Sequence, residues 1–228
     1  RTVLTARMDA QPADPLPVLA FIELAFTQNE PALVPDLADR ALRAIAKDPS
    51  AQSPARDRLF RILAKQLAAA RVAAQTNSPA ELANPGAANV IKPLTDLALL
   101  SQLEKRLALA AESTGERVTA LFERSWLQDA QQKPSASIEA LPEILADDSL
   151  ATVDMTRLEL PGMGSDRTTA GDVATSQLAT LLTKTGPAPY ALFDEEAQRA
   201  LAALPAQPTY AQLARISRQY PFAASATL

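Results

Sequence analysis

The chain contains no histidine and no cysteine. Their absence removes the commonest zinc ligands and the usual Ser-His or Cys-His nucleophile pairs. It also excludes disulfides, which leaves the redox compartment open. Glycine is scarce, at 6 in 228 residues, too few for a turn-rich β-fold. Aromatic residues make up only 4%. A net charge of −4 and a pI near 5.0 deny the chain the basic excess that a phosphate-contacting surface needs, so nucleic acid is not an expected partner. No apolar run reaches the roughly 18 residues of a membrane span. The longest candidate, Leu94 to Leu100, is interrupted by Thr95 and Asp96.

What is abundant is alanine, which supplies much of the 47% hydrophobic content. Alanine is the strongest helix former, so the expected class is all-α. At 228 residues the chain can bury a good core as one domain or as two small ones. The stretch from Ala13 to Pro49 organises the reading. Leu16, Leu19, Ile22 and Phe26 recur at steps of three and four, and Phe21, Leu24 and Ala25 widen the stripe. Thr27 to Pro31 breaks this helix, because proline disfavours a helical residue before it. A second helix starts near Ala32 with Pro35 in its first turn, where a missing N–H costs little. Leu33, Leu37, Leu42 and Ile45 are its apolar positions, with small Ala38, Ala41 and Ala44 between them.

Two helices of this length, with a small residue late in each and a closing proline, resemble a tetratricopeptide (TPR) repeat, whose period is about 34 residues. Phe21 takes the first aromatic place, Leu24-Ala25 the Leu-Gly place, Ala44 the late alanine and Pro49 the final proline. Gln28 departs from the pattern where an aromatic is usual, and Leu37 where alanine is. The resemblance implies stacked antiparallel helical hairpins, an α-solenoid with a concave binding face.

Further along, Ser53-Pro54 forms an N-cap and first-turn pair for a helix to about Ala74, with a stripe of Leu59, Leu63, Leu67 and Ala70. Arg56, Arg58, Arg61, Lys65 and Arg71 decorate its other faces. An anionic-ligand patch is one reading of them, and a solvated helix face is the favoured one. Gln75 to Asn89 reads as a long loop, and Pro93 opens a helix to about Ser113. Another runs from Glu116 to Gln131, with Trp126 expected in the core. The spacing then divides the chain into an N-terminal helical-hairpin block (1–132), an irregular linker (133–171) and a C-terminal TPR-like block (172–228). Within the linker, Ala151 to Thr156 alternates as a strand does but has no partner strand, so an extended segment lying on helices is expected, and Pro161 to Ser165 lacks the features of a phosphate loop.

The C-terminal block opens at Asp172, an N-cap candidate, and Gly186-Pro187 ends its first helix. Helix A carries Tyr190, Phe193, Ala197, Leu201 and Leu204. Helix B, capped by Thr209, carries Leu213, Ile216 and Tyr220 before Pro221. A helix leaving through Arg-Gln-Tyr-Pro-Phe is similar to helix B exits in bacterial envelope TPR arrays. The last forty or so residues are also similar to helical regions beside PQQ-binding-like β-propeller repeats in large bacterial proteins. These resemblances imply an exported setting, in the periplasm or cell envelope. The chain opens on Arg1 and stops inside a helix begun at Phe222, so a piece of a larger or processed protein is expected.

Candidate chemistry is sparse. Asp194-Glu195-Glu196 and Asp147-Asp148 are tight acid clusters, and helix starts and turns account for them better than acid–base or cation work. No catalytic, cofactor or metal residue is assigned. Tyr190, Tyr210, Arg199, Arg215 and Arg218, with Tyr220 nearby, are candidates to line a partner-binding groove, because tyrosine and arginine are enriched at binding hot spots. The leading expectation is a non-enzymatic scaffold that binds a protein or peptide. The alternative is an accessory helical domain of an enzyme or a PQQ-like propeller protein whose chemistry lies elsewhere. Leu24→Asp tests the first hairpin: a charge forced into the helix pair should lower the melting temperature of the 228-residue chain. An unchanged melt excludes the hairpin.

Overall fold

The computed structural model describes residues 2–47, 52–76, 94–158 and 169–224. Every regular element among them is helical, as eleven α-helices and three 3-10 turns. The all-α expectation holds. The β-structure described is one antiparallel bridge, Asp154 to Thr169. The chain divides into two compact units, Arg1–Glu116 and Arg117–Leu228.

In the first unit, α1 (Thr2–Ala10) precedes α2 (Leu16–Thr27), a 3-10 turn (Pro31–Leu33), α3 (Val34–Lys47), α4 (Gln52–Thr76) and α5 (Leu97–Ala110). The anchor hairpin forms where its spacing places it. Val18, Leu19, Ile22, Ala25 and Phe26 of α2 are buried, and α2 packs on α3. The turn between them needs a left-handed residue, and Asn29 supplies it at φ 56°. Glu30 N–H then donates to the Ala25 carbonyl at 2.8 Å, which closes the end of α2. On α3, Leu37, Ala38, Ala41, Ala44 and Ile45 are buried. Leu33 differs from expectation: it lies in the 3-10 turn before α3 and faces solvent. The closing Asp48-Pro49 lies outside the described residues.

Helix α4 buries Leu59, Leu63, Leu67 and Ala70, the stripe predicted for it. Its cations do not form an open anionic-ligand patch. Arg56 pairs with Glu112 at 2.9 Å, Arg58 with Glu23 at 2.8 Å and Arg61 with Asp57 at 2.8 Å. Arg71, expected on a solvated face, is buried. The start of α5 is set by Asp96, whose carboxylate accepts from the Ala98 and Leu99 N–H groups, rather than by Pro93, which is outside the described residues, as is most of the expected 75–89 loop. Arg106 ties α5 to α3 by donating to the Pro35 carbonyl at 2.9 Å and to Asp39 at 2.6 Å. Arg40 does the same for α1, donating to the Met8 carbonyl at 2.6 Å.

The division between the units falls within α6 (Thr114–Ala130), not at 132/133. The second unit continues with α7 (Pro134–Ala146), the short α8 (Asp148–Ala151), a 3-10 turn (Met155–Arg157), α9 (Ala170–Thr185), a 3-10 turn (Ala188–Tyr190), α10 (Ala191–Ala202) and α11 (Tyr210–Gln219). The expected irregular linker over 133–171 is therefore corrected: its first part is a core helix. Ser137, Ile138, Ala140, Leu141, Pro142, Ile144 and Leu145 of α7 are all buried, and α7 packs on α8, α9 and α11. Ala151 to Thr156, expected as an extended segment on the helices, is the end of α8, one bridge and the start of a 3-10 turn, with Ala170 N–H donating to the Val153 carbonyl at 2.9 Å.

Two starts in this unit follow the capping-box rule. Thr169, rather than Asp172, caps α9: its side chain accepts from Asp172 N–H, and the Asp172 carboxylate accepts from Thr169 N–H. Thr209 caps α11 as expected, in the same arrangement with Gln212. Where α8 meets α9, a Cβ on Gly171 would stand 3.2 Å from the Ala151 carbonyl oxygen, so glycine permits the close approach. Because α7 is core rather than linker, Leu141→Ala should cost about 2–5 kcal/mol of stability in chemical denaturation. A loss below about 0.5 kcal/mol, the range for surface sites, would return the segment to a linker role.

Candidate partner-binding surface

The residues nominated from sequence fall into two groups in the second unit. Tyr190 and Tyr220 are interior. Tyr210, Arg215, Arg218 and Arg199 are on the outside. One groove lined by all of them does not form.

Tyr190 is placed by a stop and a turn. Gly186 ends α9 at φ 77°, a conformation that favours glycine. Pro187 then leads the 3-10 turn that carries Tyr190 inward. Its ring lies 5.2 Å from that of Phe193 and 6.2 Å from that of Phe222, the latter edge-on at 80°. Burial pushes the Tyr190 phenol up to about 12, although the Phe222 backbone amide favours the phenolate. That amide is near, yet no group among the described residues completes a hydrogen bond to the buried hydroxyl. Tyr220 caps the end of α11 and accepts from Gln219 Nε2 at 3.0 Å. Its pKa is raised by burial first and then by Glu196, against the pull of Arg199.

The outer group sits mostly on α11. Ile216 is the fully covered residue of that helix, and Leu213 is half-buried. Tyr210 is 87% exposed at its start. Ala211, Ala214, Arg215 and Arg218 are exposed as well. At 100° per residue, Tyr210, Ala214 and Arg218 share one stripe, and Arg215 flanks it. Arg218 reaches Asp148 of α8 in a direct ion pair. Arg199 stands apart on α10, its Nε donating to the Glu195 carbonyl at 3.4 Å.

The acid clusters take structural places. Asp147 caps α8 by accepting from Ser149, and those bonds lower its pKa. Asp194 stands in the first turn of α10 and accepts from Ala224 N–H at 3.2 Å. Among the described residues, no three His, Cys, Asp or Glu side chains are placed to hold a metal ion, and no helix is long and apolar enough to cross a membrane.

Sequence reasoning missed a cleft of about 330 Å³ between α9 and the turn that follows it, lined by Leu182, Pro187, Tyr190, Asp194 and Phe222 among others. Nothing local announces it, because it depends on the chain returning at Phe222. A larger cleft of about 670 Å³ in the first unit, near Leu16 and Pro54, has its charged groups already engaged. Asp14 there accepts from Leu16 N–H, and Arg58 donates to Glu23.

No protein-family model, curated protein or solved structure matches the chain.

Tyr190 has a pH signature. An acid whose folded pKa is raised holds its proton more tightly in the fold. Its stabilisation is complete below the ordinary tyrosine value of 10.0 and is lost as pH rises towards about 12. Tyr190→Phe should flatten part of the fall of melting temperature across that window. An unaltered alkaline limb would mean the phenol is not buried as described.

Proposed function

We propose that the chain is a non-enzymatic helical-hairpin scaffold that binds a protein or peptide partner through the outward face of α11. The supporting observation is Tyr210, a large aromatic 87% exposed at the start of a helix whose buried residue is Ile216. Exposed Ala214 and Arg218 continue its stripe, with exposed Arg215 further round the helix, and the alanine leaves room for close approach. Tyrosine and arginine supply much of the energy at protein interfaces, because each pairs a wide apolar or planar surface with strong donors. Arg215 favours a partner segment that is acidic, since Arg218 already pairs with Asp148. The α2–α3 hairpin, with its 12-residue and 14-residue helices, supports a TPR-like reading. The 25-residue α4 departs from that period. The likeness to bacterial envelope arrays supplies a setting, in which this chain is one segment of a larger scaffold.

Affinity capture with the 228-residue chain, compared with the Tyr210→Ala/Arg215→Ala double variant, tests the proposal. Both positions are exposed, so circular dichroism should not change. A genuine partner should be retained by the parent chain and bind about thirtyfold more weakly to the variant, as loss of ~2 kcal/mol at a hot spot predicts. Equal capture by both proteins would overturn the assignment of this face.

A further inference from the structure

The larger cleft, about 670 Å³, lies where the turn after α1 meets the starts of α2 and α4. Its apolar lining comes from Pro15, Leu16, Pro54 and Ala55. Pro15 and Ala55 are buried, whereas Leu16 is 55% exposed and Pro54 is exposed. Gln11, Asp14 and Arg58 supply the polar lining. Their engagement is partial. Asp14 accepts from Leu16 N–H through Oδ1, and Arg58 gives Nε and Nη2 to Glu23. Among the described residues, Asp14 Oδ2, Arg58 Nη1 and the Gln11 side-chain amide take no hydrogen bond.

We propose that this cleft binds an extended peptide segment that carries an aliphatic side chain. The lining asks three things of a guest: a donor for Asp14 Oδ2, an acceptor for Arg58 Nη1, and apolar surface for Leu16 and Pro54. A carboxylate serves Arg58 alone, in competition with Glu23 and against the charge of Asp14. An ammonium serves Asp14 alone, and a hydrocarbon serves the apolar wall alone. A peptide unit with its side chain serves all three. Its N–H donates to Asp14, its C=O accepts from Arg58, and the Gln11 amide, both donor and acceptor, completes either bond. Covering Leu16 and Pro54 adds the hydrophobic term. A helical guest fits less well, because its N–H and C=O groups are used within the helix except at the ends. An extended segment keeps both free along its length, so main-chain bonds give affinity and the side-chain wall gives preference. The volume lies mid-range for ligand pockets and takes a few residues of chain. This cleft belongs to the first unit and shares no residue with the α11 face, so the two assignments stand or fall separately.

The test is an NMR titration of the full chain with the blocked peptide N-acetyl-Ala-Leu-Ala-methylamide. Saturable shifts centred on Gln11, Leu16, Ala55 and Arg58 are expected, with a dissociation constant on the order of millimolar. Replacing the peptide's leucine by glycine should weaken binding about tenfold, through lost apolar contact. Methylating its backbone nitrogens should also weaken binding about tenfold, because the donors for Asp14 are gone. On the protein, Leu16→Ala and Asp14→Asn should each weaken binding about fivefold. Leu16 is exposed, and asparagine keeps an acceptor for Leu16 N–H, so both folds should persist, as melting curves check. The comparison of peptides on the parent chain decides the matter even where a variant fails to fold. Absence of saturable shifts overturns the proposal. So does an equal response to the glycine peptide, to the N-methylated peptide or to methylammonium chloride.

Discussion

A helix that is apolar on nearly every side has no stable existence in water, and α7 is such a helix. Its exposed positions are Ser135, Glu139 and Glu143, four residues apart, which makes a single thin polar stripe. Everything else must be covered. α8, α9, α11 and the turn that carries Tyr190 do this in the second unit. Burying Ile138, Leu141, Ile144 and Leu145 stabilises by about 1.5–3 kcal/mol for each side chain, which offsets the entropy of ordering the surrounding helices. The helix even accommodates Pro142 at a buried interior position, where the missing N–H leaves the Ile138 carbonyl without its helical donor.

The same property explains what the sequence made visible and what it hid. Helices α2, α3 and α4 were legible because apolar residues recur along each at steps of three and four. α11 was legible because Thr209 announces its start, and Gln212 completes the cap. α7 is apolar on most of its sides, and its polar stripe is only Ser135, Glu139 and Glu143. Pro142 and two further serines made it look irregular. The start of α9 was misplaced for a related reason. Asp172 and Thr169 are both good cap residues, and only geometry shows that one caps while the other reciprocates. Leu33 went the other way, apolar by type yet set in the 3-10 turn before α3, where it faces solvent.

The site was legible in kind but not in arrangement. Tyr190 and Tyr210 are chemically alike, and spacing alone does not distinguish them. Tyr190 follows a stopped helix that turns it inward, whereas Tyr210 opens a helix on the outward side. Arg199 and Arg218 separate similarly, one held along α10 and the other drawn to Asp148. The aromatic cleft was not legible at all, because Phe222 and Asp194 meet only through the return of the chain after α11.

One small polar contact has a wider consequence. Ser137 of α7 donates to the Ser125 carbonyl of α6 at 2.8 Å, and Gln177 of α9 donates to Ser125 Oγ at 3.1 Å. Leucine and alanine dominate the surrounding interfaces, and such side chains fit one another nearly as well after a helix slides or rotates by one step. A buried hydroxyl does not, because any other register leaves it unpaired at a cost of about 1–3 kcal/mol. The three side chains thus act as an alignment key, selecting one arrangement of α6, α7 and α9 from several that an oily core alone would treat as nearly equal.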